Sequence, residues 1–187
     1  MPHALVQTIV VDPKVRSLCA RPYPGHPKGC PNVGQRDTCP PRARLLQELL
    51  DLDRPVYAVW SSFDLGVHIE RMRLAHPVWS DRQLVNCLYW QAGARKVLRG
   101  EIDAFLREHP ELARPGLTVS GCVLTCPEAC GVNVTATMAT LGVELQWPPK
   151  TITYQVALAG FPTRSVAEMF TPKKEHRPGE QLGLLEE

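Results

Sequence analysis

Residues 19–41 read CARPYPGHPKGCPNVGQRDTCPP, with three cysteines and six prolines in one stretch. Proline fixes φ and removes a backbone donor, so neither a regular helix nor a central strand is expected there. The stretch is also too polar to order itself by burial. Three separated thiols, Cys19, Cys30 and Cys39, offer a substitute for a core, because metal–thiolate bonds draw a loop onto one centre. Gly25, Gly29 and Gly34 supply turns that would point the three thiols at that centre.

Around this loop the chain has ordinary domain composition. Its 187 residues and 44% hydrophobic content suffice for one globular α/β domain with a buried core. The expected architecture is a small central sheet with flanking helices and a long cysteine/proline-rich metal-binding loop over residues 1–161. Residues 162–187 have mixed charge and little periodicity, and read as a partly disordered tail. No apolar run approaches the roughly 20 residues that span a bilayer, so no membrane partner is expected. The opening MPHALVQTIVVDP lacks the basic flank and cleavage pattern of a signal peptide. The expected compartment is the cytosol, where seven cysteines read as a metal site with additional core thiols rather than as disulfides.

A net charge of +2 indicates neither nucleic acid nor membrane. Trp60, Trp79, Trp90 and Trp147 are dispersed and make no stacking platform for single strands. The charge is nevertheless uneven, with seven basic residues and one acidic, Asp37, between Lys14 and Arg44. Arg16, Arg21, Lys28, Arg36, Arg42 and Arg44 would offset the negative charge of a thiolate-bound cluster, or simply keep a proline-rich loop soluble.

The short β-branched run from Ala4 to Val11 predicts a buried strand, and PVYAVWSSF from Pro55 a second. ARLLQELLDL from Ala43 has helical spacing behind Pro40 and Pro41. Residues 64–75 predict a short helix. Ser80 with Gln83 makes a capping box opening a helix that runs toward Glu108, with a kink or break at Gly93 or Gly100. Leu84, Cys87, Leu88, Leu98, Ile102, Phe105 and Leu106 form its apolar stripe, and Arg95, Lys96 and Arg99 read as its solvated face. Leu117–Gly121 predicts a strand, Pro127–Leu141 a helix ended by Gly142, and TITYQVALA from Thr151 a last strand.

None of the cysteine spacings is the C-x2-C of a zinc ribbon, although His26 would complete a Cys3His zinc site. Cys39 precedes Pro40–Pro41 and an expected helix, and Cys126 precedes Pro127 and another. At a helix start the dipole and free N–H groups favour thiolate and lower a cysteine's pKa. Cys126 is accordingly the leading candidate for a fourth ligand, with Cys122, at the expected strand end before it, as the close second. Cys130 lies one turn beyond Cys126 but also extends the apolar stripe Val134, Met138, Leu141. Cys87 sits between Leu84 and Leu88 as a core thiol.

The segment CPNVGQRDTCPP, Cys30 to Pro41, resembles the Cys-Pro-Asn-aromatic-Gly…Cys-Pro-Pro signature of a widespread family of predicted metal-binding, iron–sulfur-like proteins. Here Val33 takes the aromatic position, and the insert PYPGHPKG separates Cys19 from Cys30. The resemblance implies an upstream ligand, matched by Cys19, and further ligands in the second half, matched by Cys122 and Cys126. PEACGVNV from Pro127 resembles a later element of the same family in which the position of Cys130 varies.

Other chemistry finds less support. There is no G-x-G-x-x-G, Walker loop, H-E-x-x-H or C-x-x-C. Cys122, Cys126 and Cys130 miss the C-x3-C-x2-C spacing of radical enzymes by one residue. His68 and Glu70 follow a strand end, where catalytic groups often sit, but a histidine opening a helix reads first as structural. The sequence thus predicts an iron–sulfur cluster, 4Fe-4S in type, held by Cys19, Cys30, Cys39 and Cys126 or Cys122. Redox or sulfur-transfer chemistry on a small molecule or with a redox partner would follow. The alternative is a zinc-stabilised module that docks an acidic partner through the basic loop.

Overall fold

The computed structural model describes residues 2–23, 26–113 and 123–169. Its centre is a four-stranded sheet, entirely antiparallel, in the order β1-β2-β4-β3. β1 is His3–Leu5, β2 Val56–Asp64, β3 Val123–Leu124 and β4 Ile152–Gly160. Helices α1 (Leu46–Leu49), α2 (Leu65–Ala75), α3 (Asp81–Leu84), α4 (Gln91–Glu108), α5 (Val134–Ala139) and α6 (Arg164–Met169) surround it. Short 3₁₀ helices cover Pro13–Ala20, Cys87–Tyr89 and Pro127–Cys130. The expected small α/β domain is what forms.

β2 and β4 pair over nine residues, Val56 with Gly160 through Asp64 with Ile152. Side chains alternate across a strand, and here both faces are covered. Val56, Ala58, Val156 and Leu158 join Leu46, Leu50, Cys130, Val132 and Met138 in one core. On the other face Val59, Ala157 and Ala159 meet Leu98, Ile102 and Phe105 of α4. A smaller cluster, Leu65, Cys87, Trp90 and Ala94, closes the end where α4 begins. The small residues Ala58, Ala157 and Ala159 let helices approach the sheet closely.

Several elements differ from expectation, each for a tertiary reason. The strand expected over residues 4–11 pairs with β2 only at His3–Leu5. Farther along, Val11 bridges Val132, and backbone bonds join Asp12 N–H to Gly131 and Asn133 N–H to Val10. That crossing splits the helix expected over residues 127–141. Gly131 turns left-handed at φ 88°, where a Cβ would stand 3.4 Å from Pro13 Cα. The helix expected from Ala43 shrinks to Leu46–Leu49, because Leu50 bridges Pro162 and Leu49 accepts from Thr163 N–H.

The capping box at Ser80 forms, Gln83 Oε1 accepting from Ser80 N–H at 2.9 Å, but it opens only α3. Asn86 Oδ1 then takes Leu88 N–H, and Trp90 Nε1 donates to the Val85 carbonyl, closing a turn that ends the helix early. Leu88, expected on the apolar stripe, is 65% exposed. Gly93 and Gly100 lie inside an uninterrupted α4, so neither is the break. The first residues of the expected tail are folded: Thr163 Oγ1 donates to the Glu48 carbonyl, and Val166 of α6 is fully buried. Residues 170–187 lie outside the described residues, as does the strand expected at Leu117–Gly121.

Candidate metal centre

The cysteine loop is assembled by turns rather than by burial. Asp12 caps the Pro13–Ala20 helix by accepting Lys14 N–H, which brings Cys19 to the helix's end. Cys30 N–H donates to the Cys19 carbonyl at 2.8 Å. Gly29 makes that approach possible: its φ is +82°, and a Cβ there would lie 2.6 Å from the Ala20 carbonyl carbon. Gly34, also left-handed, donates to the Pro40 carbonyl and folds the next segment back, so that Cys39 follows a turn accepted by Arg36. Two of the three glycines expected to turn this loop thus do so, and Gly25 lies outside the described residues. Arg16 fastens the far end, Nη2 donating to the carbonyls of Pro41 (3.0 Å) and Ala43 (2.6 Å).

Cys126 arrives from the other half of the chain, as the cap of the Pro127–Cys130 helix. That helix packs on Pro13–Ala20, the Asp12–Gly131 backbone bond fixing the contact. Cys19, Cys30, Cys39 and Cys126 consequently share one electrostatic neighbourhood. Burial pushes the Cys19 thiol up, and Cys30, Glu128, Cys39 and Cys126 each push it further. Cys126 touches solvent, yet the protein crowding around it raises its thiol, as do Glu128 and Cys39, while Arg95 and a hydrogen bond with Thr125 oppose this.

At Cys126 this reverses the expectation of a depressed thiol at a helix start. The Pro127–Cys130 helix is a single short turn with little dipole, so desolvation and neighbouring negative charge win at Cys126. Cys39 has no helix behind it: Pro40–Pro41 is a cis bond, turns follow, and α1 opens only at Leu46. Cys122 lies outside the described residues. Among the described residues, no group of three or more His, Cys, Asp or Glu side chains stands at metal-holding spacing.

The other thiols are core groups. Cys130 packs with Val132, Val134 and Met138, and burial raises its pKa to about 11. Cys87 packs with Leu65 and Trp90. His26 pairs its backbone with Tyr23, their rings 4.8 Å apart. His68 is buried against Phe63, with Arg71 3.5 Å from Nδ1, and Glu70 is exposed. Of the loop's bases, Arg16 is used as a clamp and Arg42 stands 3.7 Å from Asp37 in solvent.

Three neighbours of the thiols escaped sequence reasoning. Glu128 stands among Cys19, Cys126 and Cys130, and desolvation there pushes its carboxyl up although it keeps contact with solvent. Tyr23 hydrogen-bonds the Cys30 side chain, and desolvation first, then Cys30, raises its phenol to about 12. Arg95 is exposed, as expected of a solvated face, and also exerts its charge on Cys87, Cys126 and Tyr23. No family model, curated protein or solved structure matches this chain.

Proposed function

We propose that this is a metal-binding protein in which Cys19, Cys30, Cys39 and Cys126 hold an iron–sulfur cluster of the 4Fe-4S type, and that it works in the cytosol, where thiols stay reduced. The observation that supports this most is that Cys19 feels Cys30, Cys39 and Cys126 together, although these thiols are spread from residue 19 to residue 126. The donor set also fits chemically: four soft sulfur donors, with Arg95 acting on Cys126 and Arg16 on the neighbouring Cys130, suit an anionic thiolate centre. Binding draws the loop inward from its described spacing.

A cluster of this kind supplies one-electron transfer or, where one iron lacks a thiolate, an open position for a small-molecule substrate or a sulfur atom. The chain's own contribution is to offset charge through Arg16 and Arg95 and to hold Cys30 through Tyr23. The test is metal and sulfide analysis of anaerobically prepared protein together with its visible spectrum. Stoichiometric iron and acid-labile sulfide with broad visible absorption are expected. A colourless protein with one zinc supports the interaction-module alternative instead, and a protein that takes up neither metal ends the proposal.

A further inference from the structure

A cavity of about 380 Å³ opens beside the cysteine loop, against the Pro13–Ala20 helix. Its apolar wall is Pro13, Ala20, Val33, Pro40 and Pro41, and its cation is Arg16. Two of these, Ala20 and Pro40, directly follow Cys19 and Cys39, so the cavity adjoins the proposed centre. Ser17 also lines it, but its hydroxyl is committed to the Lys14 carbonyl.

Arg16 is held rigidly and is only partly satisfied. Nη2 is spent on the carbonyls of Pro41 and Ala43. Nε is buried with no hydrogen-bond partner, and Nη1 donates to no described residue. A guanidinium has five donors in a fixed fork, and buried donors are almost always paired. Nε is sealed from solvent, so Nη1 is the donor left to a ligand, on an immobilised cation that lines a cavity otherwise walled mainly by apolar side chains.

We infer that this cavity is a binding site for a small organic carboxylate, the anion accepting from Arg16 and the apolar body lying against the prolines and Val33. A carboxylate provides the charged acceptor that a guanidinium binds best, and a rigid proline wall loses little entropy on binding an apolar group. That such a ligand is the substrate of the proposed centre rests on the preceding reading, whereas the binding itself does not.

The probe is benzoate, with benzamide as its uncharged isostere, titrated into the full chain in metal-free and metal-loaded form and followed by NMR of the arginine Nε–H signals. Benzoate should move the Arg16 signal and bind about tenfold or more tighter than benzamide. Arg16→Gln should erase that preference. Val33→Trp, which fills the cavity and leaves both Arg16–carbonyl bonds intact, should abolish binding of both, and it decides the matter if Arg16→Gln releases the loop. Equal binding of benzoate and benzamide, or benzoate binding undiminished by Val33→Trp, overturns the inference, as does an unmoved Arg16 signal up to the solubility of benzoate. Benzoate binding in a chain that takes up no metal would remove the centre and keep the cavity. A metal-loaded chain that ignores benzoate would do the reverse.

Discussion

The sheet and the cysteine loop of this one domain are ordered by different means. In the sheet, Ala58, Ala157 and Ala159 have no exposed surface, nor has Phe105 of α4 packed against it, and helices cover both faces. Between Pro13 and Arg42, by contrast, the only buried described residues are Gly29 and Pro40, and Leu18 is half exposed. Fixing one residue's backbone costs about 1–2 kcal/mol, and a turn hydrogen bond returns about 0.5–1.5 kcal/mol net. Burial covers that cost in the sheet. In the loop it does not, and the proposed metal crosslink between thiols would make up the difference.

That contrast can be broken most forcefully from the sheet side. Phe105→Ala removes a fully buried ring between α4 and the sheet and should cost about 3–5 kcal/mol of global stability in urea denaturation. A loss under about 1 kcal/mol would mean that the sheet half is not held by burial. Gly29→Ala attacks the loop, where both the positive φ and the contact with Ala20 forbid a Cβ. The strain of about 1–3 kcal/mol should appear as faster proteolysis between residues 13 and 43 and as lost metal uptake, with the urea transition of the sheet nearly unmoved. If loop and sheet give way together, they are one cooperative unit.

Cys87→Ala sharpens the line between core thiols and ligands. It should cost about 1 kcal/mol of packing against Leu65 and Trp90 and leave metal content unchanged. The smallest effect is a change of slope with pH. Burial, then the charge of Arg71, hold the His68 pKa below its ordinary 6.5. The unfolded chain therefore takes up a proton first as pH falls through 6.5, and stability present above that value is lost on acidification. His68→Leu should flatten this acid limb in denaturation curves collected at successive pH values, and an unchanged slope would show that His68 does not contribute to it.

How much was legible follows the same division. β2, β4 and α2 announce themselves because alternation and capping are local, and Asp64 caps α2 within one residue of the expected start. The helices expected from Ala43 and Pro127 were too long, because pairing of Leu50 with Pro162 and of Val11 with Val132 overrides local periodicity. At the proposed site, the sequence singles out Cys19, Cys30 and Cys39 because proline and glycine leave their loop little else to fold around, and the structure brings the charges of Cys30 and Cys39 to bear on Cys19. Arg95 was not legible, since packing of distant elements brings its charge to Cys126, and Glu128, between Cys126 and Cys130 in the chain, was a local signal that went unread. Cys126 is proposed from the dipole of a helix that proves to be one short turn, and its nearness to Cys19 and Cys39 comes instead from packing of that turn against Pro13–Ala20.

Whether metal joins the two regions is tested most directly by metal stoichiometry across cysteine variants of the full chain, prepared anaerobically under one protocol. Cys19→Ala, Cys30→Ala, Cys39→Ala and Cys126→Ala should each lose or degrade the centre, while Cys87→Ala and Cys130→Ala retain it. Full metal content and an unaltered spectrum in Cys126→Ala would show that Cys126 does not hold the centre, and would contradict the account.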